Sequence, residues 1–216
     1  MRARVIFAMV DFGRYAMLED DEIDHEDLPP AAGHTALLIV DMINDMAFDE
    51  GDALLGEIDA IVDAVASLRA AAEAAAVPVI FVNDNFDQWH SDRQRIIDYV
   101  ENTRGKSVLD RLRPHADDYF VVKPQVSGFY ATNLPVLLPR LGVSRLILAG
   151  AAADICILFT AADAHMRDYG LWVPRDTVAS EKPEHRDWAL GIMRKSMAAE
   201  TRPTSELDLR AWLERL

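Results

Sequence analysis

Along the chain, short solid apolar runs alternate with longer stretches in which apolar residues recur every three or four positions. The runs are Thr35 to Asp41 (TALLIVD), Val79 to Val82, Tyr119 to Val122, Leu146 to Ala149 and Gly170 to Val173. Runs of that length between turn formers fit strands buried on both faces. The periodic stretches predict helices over Leu54 to Ala76, Arg93 to Glu101, Thr132 to Leu141, from about Ile155, Pro183 to Ala198 and Ser205 to Trp212. Leu54, Ile58, Ile61, Val65 and Leu68 form one face of the first helix, and Pro78 stops it. Pro139 should bend or shorten the third, and a short strand is expected near Thr201. Strict alternation of strand and helix predicts a three-layer α/β/α fold around a parallel sheet.

The stretch LILAGAAADICILFTAADAHM, Leu146 to Met166, focuses the search for chemistry. A strand runs into Gly150, three alanines follow, and Asp154 has the composition of a helix N-cap. Cys156, the single cysteine of the chain, would then sit in a first helical turn, where free N–H groups and the dipole favour thiolate. An inert core thiol is the competing reading, since free cysteine is commonly buried. In parallel sheets reactive groups gather beyond the carboxyl ends of strands. Those ends supply Asp41 after ALLIV and Lys123 after FVV, so an acid, a cation and a thiol form a workable unit.

Composition narrows the setting. The chain has 216 residues, half of them hydrophobic, which suits one α/β domain over 34–216. Residues 1–33 read as an acidic arm, with seven acidic residues in the nine from Glu19 to Asp27. A net charge of −14, from 36 acidic against 22 basic residues, excludes nucleic acid as an expected partner. No apolar stretch has the roughly 20 residues of a membrane span, and Asp11 breaks the short N-terminal apolar run too early for a signal peptide. One cysteine fits a reducing, cytoplasmic compartment.

Four segments, in this order, resemble the isochorismatase-like cysteine hydrolases, a superfamily that includes nicotinamidases, N-carbamoylsarcosine amidases and ureidoacrylate hydrolases. They are ALLIVDMINDM around Asp41, VIFVNDNF after the second strand, VVKPQVSGFYATNL around Lys123, and the GAAADIC turn. The resemblance runs from about Thr35 to Thr201. It implies the strand order 3-2-1-4-5-6, an Asp–Lys–Cys triad of Asp41, Lys123 and Cys156, and a cis peptide joining Ala151 to Ala152. It also implies an oxyanion hole formed by the amides of Ala152 and Cys156. The order places Lys123 two strands from Asp41, roughly 10 Å at ~4.8 Å spacing, so its side chain must reach back across the sheet.

Two positions depart from the family pattern. Ala153 stands where Thr or Ser is common. The loop Asn83 to His90 has no Asp-x-His pair of the kind that holds a metal in nicotinamidases, so no metal and no cofactor are expected. His25, His34, His115, His165 and His185 are scattered in sequence. The pattern therefore points to hydrolysis of a small amide-type C–N bond by way of a thioester, in a homo-oligomer. Asn85, Phe86, Trp89, Phe129 and Tyr130 are candidates to line the substrate pocket, although ordinary core packing is the better expectation for Phe129. A vinyl-ether hydrolase of the isochorismatase type, or a non-catalytic member of the fold, are the alternatives.

Overall fold

A computed structural model describes residues 34–87 and 92–215. The acidic arm and Trp89 lie outside the described residues. At the centre runs β1 (Thr35–Val40), buried along its whole length and hydrogen-bonded in parallel to β2 (Val79–Asp84) on one side and β4 (Arg145–Ala151) on the other. Outside β2 lies β3 (Tyr119–Lys123), and outside the first half of β4 lies β5 (Gly170–Trp172).

The solid apolar run of β1 is explained by the two-residue period of a strand. Leu37 and Ile39 face one apolar cluster, while Ala36, Leu38 and Val40 face the other. The first cluster is covered by α1 (Gly51–Ala74), α2 (Arg93–Val100), α3 (Lys106–Leu112) and, near the end of the chain, α7 (Leu209–Leu213). The second is covered by α4 (Leu134–Arg140), α5 (Leu158–His165) and α6 (Pro183–Ser196). All five apolar positions expected to face inward from α1 are buried. The three layers and the parallel sheet are thus as the alternation implies.

The sheet order is 3-2-1-4-5, and the sixth strand departs from the expected position. The strand β6 (Val178–Ala179) pairs with the second half of β4, at Gly150 and Ala151, where β5 has already ended. Near Thr201 only an isolated bridge between Trp172 and Glu200 forms. Two strands therefore share one edge of β4 end to end, and β6 delivers the residues that follow it to the same rim as Gly150.

Several helices differ from the sequence pattern in ways that have local causes. Helix α3 was not legible, because seven residues show too few turns, yet Val108, Leu109 and Leu112 are buried. Asp92 caps α2 by accepting from the Gln94 and Arg95 amides. Thr132 precedes α4 and its hydroxyl accepts the Leu134 amide at 3.2 Å, while the helix ends one residue after Pro139. The final helix starts at Leu209 rather than near Ser205, since Asp208 supplies the cap by accepting the Ala211 amide.

Asp154 is not an N-cap. After β4 the chain forms a π-helical turn, Ala153–Ile157, before α5 begins at Leu158. No side chain caps that turn, and Asp154 instead accepts from the Ser180 hydroxyl at 2.6 Å. Ala153, where the family pattern has a hydroxyl, is fully buried in the second apolar cluster.

Candidate active site

The carboxyl ends of β1, β2, β3, β4 and β6 surround one cavity of about 470 Å³. Asp41 follows β1 directly, with a left-handed backbone (φ 51°), a conformation that aspartate tolerates better than most residues. Its amide donates to the Val82 carbonyl, and its Oδ1 accepts the Asp84 amide at 2.8 Å. These two bonds tie the carboxylate to the end of β2. Its other oxygen, Oδ2, lies 2.9 Å from Lys123 Nζ.

Lys123 is the last residue of β3, opposite Asp84 of β2. A strand-end lysine ordinarily emerges into solvent, but this one is 1% exposed. Its side chain crosses the end of β2 and so closes the two-strand gap to Asp41. Nζ is also 3.5 Å from Cys156 Sγ and 3.9 Å from Asp84 Oδ2. One ammonium therefore serves three groups.

Cys156 sits in the π turn after a peptide bond, Ala151 to Ala152, that is cis. The Ile155 and Ile157 amides both donate to the Ala152 carbonyl, at 3.2 and 3.1 Å, and the Cys156 amide between them does not. The helix-start setting that favours a thiolate is opposed here by burial and by Asp41. Burial pushes the Cys156 thiol well above its ordinary range and Asp41 adds to this, while Lys123 opposes both without prevailing. A low-dielectric site disfavours a second negative charge beside a carboxylate.

The partners respond in kind. Burial raises Asp41 above its ordinary value, partly offset by Lys123 and by the hydrogen bond from the thiol. Burial works to lower Lys123, but Asp41 and then Cys156 more than compensate, so the ammonium is held above its ordinary range. The arrangement gathers a thiol and a carboxyl group around one buried ammonium, at 3.5 and 2.9 Å. A shared ammonium suits proton exchange between the two acidic groups it holds.

Of the pocket candidates, Asn85 and Phe86 line the cavity. Phe129 does not: it is 3% exposed within the second apolar cluster, with Arg167 stacked over its ring. Tyr130 is exposed and borders a separate shallow depression beside Phe159. Three further residues were not assigned to the site from the sequence. Asn83 clamps the loop after Asp41, its Oδ1 accepting the Ile43 amide at 3.1 Å and its Nδ2 donating to the Ile43 carbonyl at 2.8 Å. Asp84 and Glu181 put carboxylates on the cavity wall. Glu181 follows β6 just before the Pro183 helix start, and a two-residue strand leaves almost no pattern to read.

The histidines are not all isolated. His185 lies with Asp154 and Glu181 at the rim, and His115 with Glu73 and Asp118 beyond the opposite end of β2, in groups whose spacing could hold a cation. In the second group, Glu73 and Asp118 are both engaged by Arg69.

Fold and site together define a three-layer α/β hydrolase whose reactive side chains gather over the carboxyl edge of its sheet. The chain belongs to the isochorismatase family: residues 35–204 match the family model described as the Isochorismatase domain. It is 41% identical over 165 residues to the uncharacterized isochorismatase family protein YaaI of Bacillus subtilis, covering 76% of this chain and 91% of YaaI. It is 30% identical over 166 residues to the ureidoacrylate amidohydrolase RutB of Serratia proteamaculans, covering 64% of this chain and 67% of RutB. Among solved structures, the N-carbamoylsarcosine amidase from Thermoplasma acidophilum superposes with a TM-score of 0.61 at 30% identity, over 81% of this chain and 98% of that one.

Proposed function

We propose that this protein hydrolyses a small amide-type substrate by way of a thioester on Cys156, with Asp41 and Lys123 as its partners. The observation that carries the reading is the contact of Lys123 Nζ with both Asp41, at 2.9 Å, and Cys156, at 3.5 Å, inside one cavity. The amidase-type relatives support the choice of a C–N bond.

In the first step Asp41 takes the thiol proton while Sγ bonds to the substrate carbonyl carbon. Burial raises Asp41 above its ordinary value, which favours its taking up that proton. The carbonyl oxygen becomes an oxyanion, received by the amides of Ala152 and Cys156. Collapse of the tetrahedral species breaks the C–N bond, and Asp41 returns its proton to the leaving nitrogen. Water then attacks the thioester with Asp41 as base, the acid leaves, and the thiol regains its proton. Lys123 keeps the pair of acidic groups compatible by supplying positive charge throughout. Asn85 and Phe86 border the space where the rest of the substrate lies.

The test is a screen of small amides and ureides for release of ammonia or amine, with mass detection of an acyl adduct on Cys156. Release that is lost in Cys156→Ala supports the reading. Release that persists in that variant overturns it.

A further inference from the structure

The charges on the cavity wall are unbalanced. Four carboxylates line it, from Asp41, Asp84, Asp87 and Glu181, and Lys123 is the single cationic side chain among the described residues that do so. That ammonium is buried and already committed to Asp41 at 2.9 Å, with Asp84 farther away at 3.9 Å. Glu181 lines the same cavity as Ala152 and Cys156. Its carboxylate is 16% exposed, and among the described residues the one basic group paired with it is His185 Nδ1 at 3.8 Å, which also faces Asp154 at 3.5 Å. One imidazole thus stands against two carboxylates, and it lies behind the wall, lining a separate depression with Trp188. The polar side chains completing the cavity, Asn44, Asn85 and Gln125, are neutral.

A substrate carboxylate entering this space would meet several negative groups and no uncommitted cation among the lining residues. Desolvating an anion beside other anions is costly unless a cation replaces the lost water. A cation gains from the same field, because a cleft of one sign concentrates the opposite charge.

We propose that the cavity selects an amide whose far end carries an ammonium group, received by Glu181 and Asp84, and rejects amides bearing a carboxylate. This rests on the assignment of the Cys156 cavity as the reaction site. Glu181 acts as the specificity-determining residue, since it is the more enclosed of the two carboxylates and lines the same cavity as the nucleophile.

The sole cysteine of the chain makes a probe that does not depend on turnover. Cys156 is treated with two methanethiosulfonates, one carrying a 2-aminoethyl group and one a 2-sulfonatoethyl group. The ratio of their rates is compared with the ratio for a small free thiol. The cationic reagent is expected to be favoured by about 10-fold or more beyond the free-thiol ratio, falling with added salt. Glu181→Gln and Asp84→Asn should each reduce the preference, and the salt dependence of the unaltered protein stands if a variant does not fold. A second arm measures kcat/KM for ammonia release from 3-aminopropanamide against succinamate, which differ in the charge of the far group; the former is expected to be preferred. A reagent ratio at or below that of the free thiol, or a preference for succinamate, overturns the proposal. Charge preference without ammonia release from any amide would sink the amidase reading and leave the selection of cations supported.

Discussion

At the scale of single residues, Lys123 and Asp41 pull the thiol in opposite directions. Lys123 favours the thiolate and Asp41 disfavours it. Lys123→Met should therefore push the thiol still higher and slow its alkylation by iodoacetamide at neutral pH, by roughly 10-fold for every pH unit that its titration moves up. Asp41→Asn should keep or speed alkylation while lowering turnover by about 10²–10⁴-fold, because the leaving nitrogen loses its acid. Alkylation rates and ammonia release, measured on the same two variants, separate reactivity from catalysis. If Lys123→Met is alkylated as fast as the parent, the lysine has no hold on the sulfur.

At the scale of elements, the site depends on how closely β4 approaches β1. Gly150 has φ 122°, and a Cβ placed on it would lie 2.0 Å from the Val40 carbonyl oxygen, immediately before Asp41. Gly150→Ala should thus displace Asp41 from Lys123 and destroy activity even in molecules that still fold, as ammonia release and circular dichroism together would reveal. The layer that supports this rim is set by α1, whose Ile58 is completely buried against the sheet. Ile58→Ala should cost about 2–5 kcal/mol in urea denaturation, the range for deleting most of a buried aliphatic side chain.

For the whole molecule, the same displaced titrations predict how stability changes with pH. Folded Cys156 keeps its proton beyond the ordinary 9.0 at which the unfolded chain releases it, so the folded state binds more protons above that value. Lys123, raised above its ordinary 10.5, acts in the same direction. Stability should fall as pH rises above about 9, and Cys156→Ser should flatten the first part of that fall, read as urea midpoints at about pH 8 and about pH 10. At the acidic end, hydrogen bonds from Arg202 foremost, and also from Arg215, hold Glu200 down to about 2 from its ordinary 4.5. Its contribution is present above 4.5 and is lost as pH falls towards 2. Glu200→Gln should therefore weaken the protein at neutral pH and flatten its acid limb over that window. No helix among the described residues is long and apolar enough to cross a membrane.

The alternation of strands and helices, and hence the parallel sheet, was written in the sequence, because burial on both faces leaves short solid apolar runs between the periodic stretches. The sequence also marked Asp41, Lys123 and Cys156, since each follows such a run where a strand must end. What those residues do to one another came from the tertiary arrangement. Lys123 reads as a solvated strand end until β2 lies between it and Asp41 and its side chain has to cross, buried, to the carboxylate. The helix-start setting of Cys156 favours thiolate, and only the assembled site shows burial and Asp41 working against it. Glu181 and β6 left no pattern, because a two-residue strand is too short for periodicity and its partner, the far half of β4, is distant in sequence. Local pattern records which face of an element is dry. Charge depends on distance through a low-dielectric interior, and those distances exist only once the sheet has assembled.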